Sequence, residues 1–388
     1  MELIEAIKDH MSGKRIKVML DENIESIPLG DLEILSEMGA EFREFETAVV
    51  KPKEPEEKPA ATEDTPAEDP DSAEPSEDVK NLKIGVSIME LTAYTWYQGV
   101  IDGCNKWLAD NGAEKKVHMD FDFEDSRSDV ATMLNNVENM LAANCDGIIL
   151  FPADASSAIP TMKQSVEKGT PFIIGDYAQE PASEDDVVWS TFVGHDMKAL
   201  GVKAGQVAVE HLKTLGKDDP VCLFITVPTS GQVSADRFAG FKETVLAEFP
   251  NAKIIEEGDT GGHNRDSAQT LTENVLQREP VIDIVCGHND AEVVGAYNAA
   301  MQQERKEIKF IGIAGDIDVL TWISEGNEYW LGEVLQDPVV LGYQATDAMY
   351  RVLVNGETLE AKYPLPDPEA ITPENIADYD WQNWGWLG

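Results

Sequence analysis

From residue 82 onward the chain repeats its own pattern. Short apolar runs expected to be strands at 82–88, 117–123, 147–151 and 171–175 alternate with amphipathic stretches at 96–111, 128–143 and 158–168. After a gap the series returns, with strands expected at 221–227, 252–256, 282–286 and 310–313 and helices at 237–248, 266–277 and 291–303. The offset is about 138 residues, counted from Ile84 to Cys222. A strand–helix–strand rhythm implies parallel strands joined by right-handed crossovers, and strands apolar on both faces need helices on both sides. The expected class is α/β, with two similar αβα Rossmann-like lobes. Ligands of such sheets sit beyond the carboxyl ends of the strands, so two lobes facing each other make a cleft.

What precedes the repeat is of another kind. Residues 51–80 hold six prolines and eleven acidic side chains and almost nothing apolar, so they read as an extended, disordered, acidic Pro-rich linker. Residues 1–50 read as a small appended αβ segment. With five basic against twelve acidic side chains and no helix-turn-helix spacing, it is a poor DNA-binding head. The whole chain carries a formal charge of −43, which repels phosphate backbones and anionic lipid, so nucleic acid is not an expected partner. No apolar run approaches the roughly 18 residues of a transmembrane helix. The first twenty residues lack the basic start and apolar stretch of a signal peptide, so a cytoplasmic location stays open alongside an exported one. Cys104, Cys145, Cys222 and Cys286 form no CxxC pair and are expected to be buried free thiols.

The residues just past each expected strand are the candidates for ligand contact. They are Glu90 with the aromatic pair Trp96-Tyr97, Asp154, Asp176, Gln232 ahead of Arg237, Asn289 within His288-Asn289-Asp290, and Asp316. Carboxylates and an amide converging on aromatic faces suit an uncharged polyhydroxyl ligand: acceptors take hydroxyl hydrogens while a ring covers the C–H face. The plainer reading of each acidic residue is a surface charge or helix cap, and in a chain with 73 carboxylates it holds for most of them. Position at a strand end is what singles out Asp154, Asp176 and Asn289. For Trp96 and Tyr97 the plainer reading is core packing. Neighbours on a helix point about 100° apart, so at most one of them lies flat on a ligand.

No phosphate cradle is present, because GxxxxGK[ST] is missing and Gly258-Asp259-Thr260-Gly261-Gly262 lacks the GxGxxG spacing. His195, His263 and His288 each follow glycine but carry no zinc spacing, so they read as loop histidines with ordinary partners. Without a Gly-x-Ser-x-Gly elbow a nucleophilic hydrolase is disfavoured. Neither a cofactor nor a metal is expected.

Taken in order, Leu82-Lys83-Ile84-Gly85-Val86-Ser87, the run Gly147 to Asp154, the run Thr170 to Asp176, Arg237-Phe238-Ala239-Gly240-Phe241, Gly287-His288-Asn289-Asp290 and the stretch Gly356 to Pro364 resemble a known family. It is the periplasmic sugar-binding proteins of the ribose/galactose type, the substrate receptors of ABC importers, with the type I periplasmic binding protein fold. The resemblance spans about Leu82 to Tyr379. It implies a three-segment hinge near Gly194, Gln336-Asp337 and Lys362-Tyr363, giving an N-terminal lobe of 82–194 plus 337–361 and a C-terminal lobe of 195–336 plus 362–388. It implies ligand contacts from Trp96, Tyr97, Asp154, Asp176, Asn289 and the hinge residue Gln336. Glu90, Gln232, Arg237 and Asp316 remain further candidates. The family's ligand arginine and aspartate fall here on Ala235 and Ala314. An ordinary pyranose or ribose would then miss two charge-assisted hydrogen bonds, about 1.5–3 kcal/mol each. A deoxy sugar, a polyol or a furanosyl signal fits that pocket better, unless Asp316, Gln232 and Ser234 fill the gap.

The resemblance implies binding without chemistry, hinge closure, and delivery to an ABC permease or a sensor protein. It also implies a periplasmic or cell-surface location, with the linker as tether. Two other readings stand beside it: a cytoplasmic ligand-sensing regulatory domain of the repressor type, and a carbohydrate hydrolase using Asp154 and Asp176. The terminal Trp381, Trp384 and Trp386 are expected to pack under the second lobe rather than form a docking patch.

Overall fold

The computed structural model describes residues 79–92, 95–176, 188–363 and 365–386. The expected appended segment 1–50 and nearly all of the linker 51–80 lie outside them. The first half runs β1 (Lys80–Ile88), α1 (Trp96–Lys115), β2 (Val117–Asp125), α2 (Val130–Ala142), β3 (Gly147–Leu150), α3 (Ile159–Lys168), β4 (Phe172–Gly175) and β5 (Thr191–Val193). Next come α4 (Met197–Thr214), β6 (Val221–Thr226), α5 (Gly231–Glu248), β7 (Lys253–Gly258), α6 (Arg265–Arg278), β8 (Ile284–Gly287), α7 (Asp290–Gln302), β9 (Lys309–Ala314), α8 (Ile317–Ser324) and β10 (Trp330–Leu335). The chain ends with α9 (Pro338–Leu353), β11 (Lys362–Tyr363), β12 (Ala370–Ile371) and single 3₁₀ turns.

Two six-stranded sheets result, ordered β11-β5-β4-β3-β1-β2 and β12-β10-β9-β8-β6-β7. All pairings are parallel except β10 with β12. The repeat is visible in the register: Ile84 pairs with Gly147, the first residue of β3, and Cys222 pairs with Ile284, the first residue of β8. The four-residue strands β3, β4 and β8 are buried at every position, as coverage on both faces requires. In the first lobe Ile149 and Ile173 pack toward Val100, Trp107 and Leu341, while Ile148 and Ile174 pack toward Met133, Val137 and Met162. The second lobe repeats this, with Phe224 and Ile311 facing Leu200 and Phe241, and Val285 and Phe310 facing Val275 and Val293. The edge strands β2 and β7 carry Asp120, Asp122, Glu124, Glu256 and Glu257, charges that discourage pairing with another chain.

The chain passes between the lobes three times. After β5 it leaves the first sheet, and α4 packs on α5 and against β9 and β10 of the second. After β10 it returns, and α9 packs on α1. Both new helices start at the crossing and are capped by an aspartate: Asp196 accepts from the Ala199 amide, and Asp337 accepts from Val339 and Val340 with Pro338 in the first turn. The third crossing corrects the sequence expectation. Lys362–Tyr363 belongs to the first sheet, paired with Phe192 and Val193, so the return to the second lobe lies between Tyr363 and Ala370. The Tyr363 phenol donates to Asp347 of α9 at 2.5 Å and takes a bond from Arg351, which anchors this short strand to the first lobe.

The terminal tryptophans divide. Trp381 and Trp384 join the second-lobe core. Trp386 is buried, and a Cβ on Gly99 of α1 or on Gly315 after β9 would lie within 2.8–2.9 Å of its ring. The last turn therefore touches both lobes.

Helix α9 meets α1 backbone to backbone, and a Cβ on Gly342 would collide with the Val100 carbonyl. Gly342→Ala is expected to push the helices apart and cost about 1–3 kcal/mol, lowering the melting temperature by several degrees. Thermal unfolding followed by circular dichroism checks this, and an unchanged midpoint would mean that the crossing yields freely.

Candidate functional site

The site grows from the end of β4. Asp176 follows Gly175 with φ of 67°, a left-handed conformation that aspartate tolerates better than most residues. Its carboxylate is buried and accepts from the Tyr97 hydroxyl at 2.8 Å and from the Gln336 amide at 3.3 Å. Gln336 in turn accepts from Arg237 Nη2 at 2.5 Å, and Arg237 Nη1 donates to the His288 carbonyl at 2.5 Å. One hydrogen-bonded chain thus runs from the first lobe through the hinge into the second. Trp96 is attached to it: its indole N–H donates to the Gln336 carbonyl at 2.8 Å, and its ring meets Tyr97 edge to face at 5.0 Å. The two aromatics divide the work, since Tyr97 is buried against Phe151 and Trp96 remains half-buried.

Burial pushes the Asp176 carboxyl upward, opposed by the Tyr97 hydrogen bond and the Arg237 charge. Burial lowers Arg237 to about 10, with Asp176, Asp290 and Glu292 pulling the other way, so it stays charged at neutral pH. His195, whose Nε2 bonds the Asp337 carbonyl at 3.0 Å, is lowered to about 4 by burial, and His288 to about 2. Both imidazoles are therefore neutral.

On the second lobe Asn289 closes the N-terminus of α7 in a capping box with Glu292. Asn289 Oδ1 accepts from the Ala291 amide at 3.0 Å, and its NH2 lies 2.6 Å from His263 Nδ1. The other ring nitrogen of His263 is 3.1 Å from Ser230 Oγ. Beside them the turn after β9 is strained, with φ of 143° at Ala314 and 119° at Gly315. Buried Asp290 holds this turn by accepting from the Gly315 and Asp316 amides, each at 3.0 Å. Next to it sits Glu333 of β10, with no exposed surface, over Gly312, where a Cβ would collide with both carboxyls. Burial raises Asp290 to about 6 and Glu333 well above the ordinary range, so Glu333 is protonated beside Asp290.

Of the residues read from sequence, Trp96, Tyr97, Asp176, Gln336 and Arg237 share one network, whereas the Asn289 side chain stands apart from it, bonded to the Ala291 amide and His263. The others have local partners. Asp154 closes its own turn, accepting from Ser156 Oγ and the Ser157 amide at 2.7 Å each, bonds that hold it below the usual carboxylate range. Glu90 accepts from the Thr92 amide at 2.9 Å, and Gln232 donates to Asp236 on the surface. Asp316 caps α8 and pairs with Arg265 at 2.7 Å. His195 and His263 read as loop histidines with ordinary partners, Asp290 stood beside Asn289 at its strand end, and Glu333 was not singled out. The three Gly-His and His-Asn-Asp positions at strand ends were the available signal, but Glu333 inside a strand gave none. Among the described residues no group of three or more His, Cys, Asp or Glu could hold a metal, and all four cysteines are free and buried.

Two doubly wound lobes, three crossings and a polar chain through the hinge define a two-lobed binding protein of type I periplasmic architecture. Residues 84–358 match the periplasmic binding protein domain, and the chain belongs to that family. It is similar to the xylitol-binding protein of Mycolicibacterium smegmatis, 28% identical over 300 residues, covering 76% of this chain and 78% of that one. The ribose import binding protein of Bacillus subtilis is 26% identical over 302 residues, covering 77% and 91%. In fold it is similar to the periplasmic ribose ABC transporter protein of Conexibacter woesei (TM-score 0.67, 20% identity, 79% and 96% covered). It is also similar to an ABC transporter solute binding protein from Bacillus halodurans solved with bound myo-inositol (TM-score 0.62, 22% identity, 79% and 99% covered). Among the described residues no helix is long and apolar enough to cross a membrane.

The Asp290–Glu333 pair has a consequence for stability. Both values are raised, so above about pH 4 the folded protein keeps protons that the unfolded chain has released. The stabilisation is complete below that pH; the share owed to Asp290 is lost as pH rises through about 6, and that owed to Glu333 at higher pH. Denaturation midpoints measured across this window should fall less steeply with pH in Glu333→Gln than in the wild type. Parallel curves would show that the pair holds no extra proton.

Proposed function

We propose that this protein binds a small uncharged polyhydroxyl ligand, a sugar, deoxy sugar, polyol or furanosyl signal, in the cleft between its lobes. Closure about the three crossings then delivers the ligand to an ABC importer or a sensor protein. The observation that carries this reading is the placement of Asp176. It is a buried acceptor at a strand end, joined to a hinge amide and to an aromatic pair, and each of these groups suits one face of a polyol. Relatives named for xylitol and ribose, and a fold neighbour holding myo-inositol, support the same ligand class. Trp96, Tyr97, Asp176, Asn289 and Gln336 are the proposed contacts, with Asp154 at the periphery. Family membership favours a periplasmic or cell-surface receptor, for which the acidic 51–80 stretch would serve as tether.

A glycosidase would use Asp154 or Asp176 as general acid, which asks for a carboxyl with a raised value facing the leaving group. Asp154 is lowered and tied into its own turn, and Asp176 is raised but held by Tyr97 and Gln336. Members of this family are binding proteins, which favours binding over hydrolysis here.

A thermal-shift screen with xylitol, D-ribose, myo-inositol and arabinofuranose is expected to find a ligand that raises the midpoint by several degrees at saturating concentration. Trp96→Ala should weaken that ligand by about 2 kcal/mol, roughly thirtyfold, in calorimetry. Equal affinity in the variant, or no stabilisation by any of the four, would count against this assignment.

A further inference from the structure

Resting on the reading of the cleft as a binding site for an uncharged polyol, we infer that His263 is a positioning residue that fixes the donor pattern of the second-lobe wall through Asn289. Asn289 Oδ1 accepts from the Ala291 backbone amide, which can only donate, so the amide cannot be flipped and its NH2 must be the group facing His263. At 2.6 Å from an NH2, His263 Nδ1 has to be an acceptor, and its single ring proton then lies on Nε2, donated to Ser230 Oγ at 3.1 Å. The neutral imidazole therefore ties up one hydrogen of the Asn289 amide and leaves the other for a ligand. At Asn289 this wall therefore offers one donor and no charge.

His263 is half in solvent at the end of a glycine-rich turn, with φ of 53°, and its ring packs edge-on against His288 at 5.2 Å. The charged and titratable groups around it are Asp259 on its own loop, Arg237 of α5, and His288 and Glu292 at the start of α7, where Glu292 accepts the His263 backbone amide at 2.7 Å. Burial, helped by the Arg237 charge, lowers His263 below its ordinary value of 6.5. Protonation would place an N–H against the Asn289 NH2, donor facing donor, and break the pair. Ligand affinity is therefore held above the His263 value and lost as pH falls through it, by up to about tenfold per pH unit for one linked proton. His195 and His288, lowered to about 4 and about 2, do not titrate in this window. Glu292, raised to about 7 by burial, does, and must be separated.

Nitrogen-15 spectra of the ligand-free wild type should show the Nε2–H tautomer of His263 at neutral pH, and Asn289→Ala should raise the pH at which that ring titrates. In calorimetry with xylitol, D-ribose and myo-inositol between about pH 5 and pH 8, the wild type should lose affinity toward acid. His263→Gln, which offers an acceptor and a donor without titrating, should remove that loss while keeping most of the affinity. An Nδ1–H tautomer in the ligand-free protein, or an acid loss unchanged in His263→Gln and so owed to Glu292, would overturn the inference. If none of the three polyols binds the wild type, the reading of the cleft fails, and the tautomer still decides the role of His263.

Discussion

Gln336 hydrogen-bonds the two halves of the molecule to each other, and each of its polar atoms has a partner. Its side chain donates to Asp176 of the first lobe and accepts from Arg237 of the second. Its carbonyl accepts from Trp96, and its amide donates to the Ala314 carbonyl at 3.2 Å. Arg237 and Asp176 are opposite charges buried on either side of an amide that relays between them. A buried guanidinium or carboxylate without partners would cost several kcal/mol. The amide makes both tolerable, and it does so only while the lobes and the hinge keep this arrangement. Rotating one lobe against the other has to exchange these bonds for water or for a ligand, which is how occupancy of the cleft can bias the hinge.

The same logic explains the acids under the second lobe. The turn at Ala314 and Gly315 adopts backbone angles that cost free energy, and such turns persist where surrounding bonds over-determine them. Here the two amides past Ala314 are fixed by one carboxylate, Asp290, and Asp290 is steadied by a protonated neighbour, Glu333, in a strand that otherwise carries apolar residues. A second ionised carboxyl at that depth would be unsupportable. Burial therefore holds a proton on this pair to higher pH than on a free carboxyl.

How much of this was legible in the sequence follows from how local each feature is. The central strands were readable because short apolar runs such as Gly147–Leu150, Val221–Thr226 and Ile284–Gly287 alternate with amphipathic helices. Thr191–Val193, Lys362–Tyr363 and Ala370–Ile371 are two- or three-residue strands defined by a partner far away, so no local pattern announces them. Helices α4 and α9 were missed for a different reason: each begins at a hinge crossing, where the strand–helix alternation is interrupted. Asp176 stood out by its position at a strand end and Gln336 by the resemblance to the family, yet the strand-end rule also returned Asp154 and Asp316. Position says that a side chain stands at the rim. It does not say whether a serine two residues on, or an arginine from α6, has already taken the carboxylate. His263 went unrecognised because its role lies in which nitrogen holds a proton, and only the orientation of Asn289 reveals that.

The charge of the whole chain and the neutrality of the cleft are compatible because they are set in different places. Of the acidic residues behind the −43, Asp120, Asp122, Glu124, Glu256 and Glu257 stand on edge strands where water and salt screen them. Inside the cleft the accounts balance locally: Arg237 stands against Asp176, Glu333 is protonated beside Asp290, and His195 and His288 are neutral by burial. An anionic guest would be repelled over the whole approach and would find its one cation already bonded to Gln336 and to the His288 carbonyl. A cationic guest would be repelled by Arg237 and would have to take Asp176 from Tyr97 and Gln336. An uncharged polyol disturbs neither balance, and the donors and acceptors left at the rim, one hydrogen of Asn289 and the remaining lone pairs of Asp176, are those that hydroxyl groups satisfy.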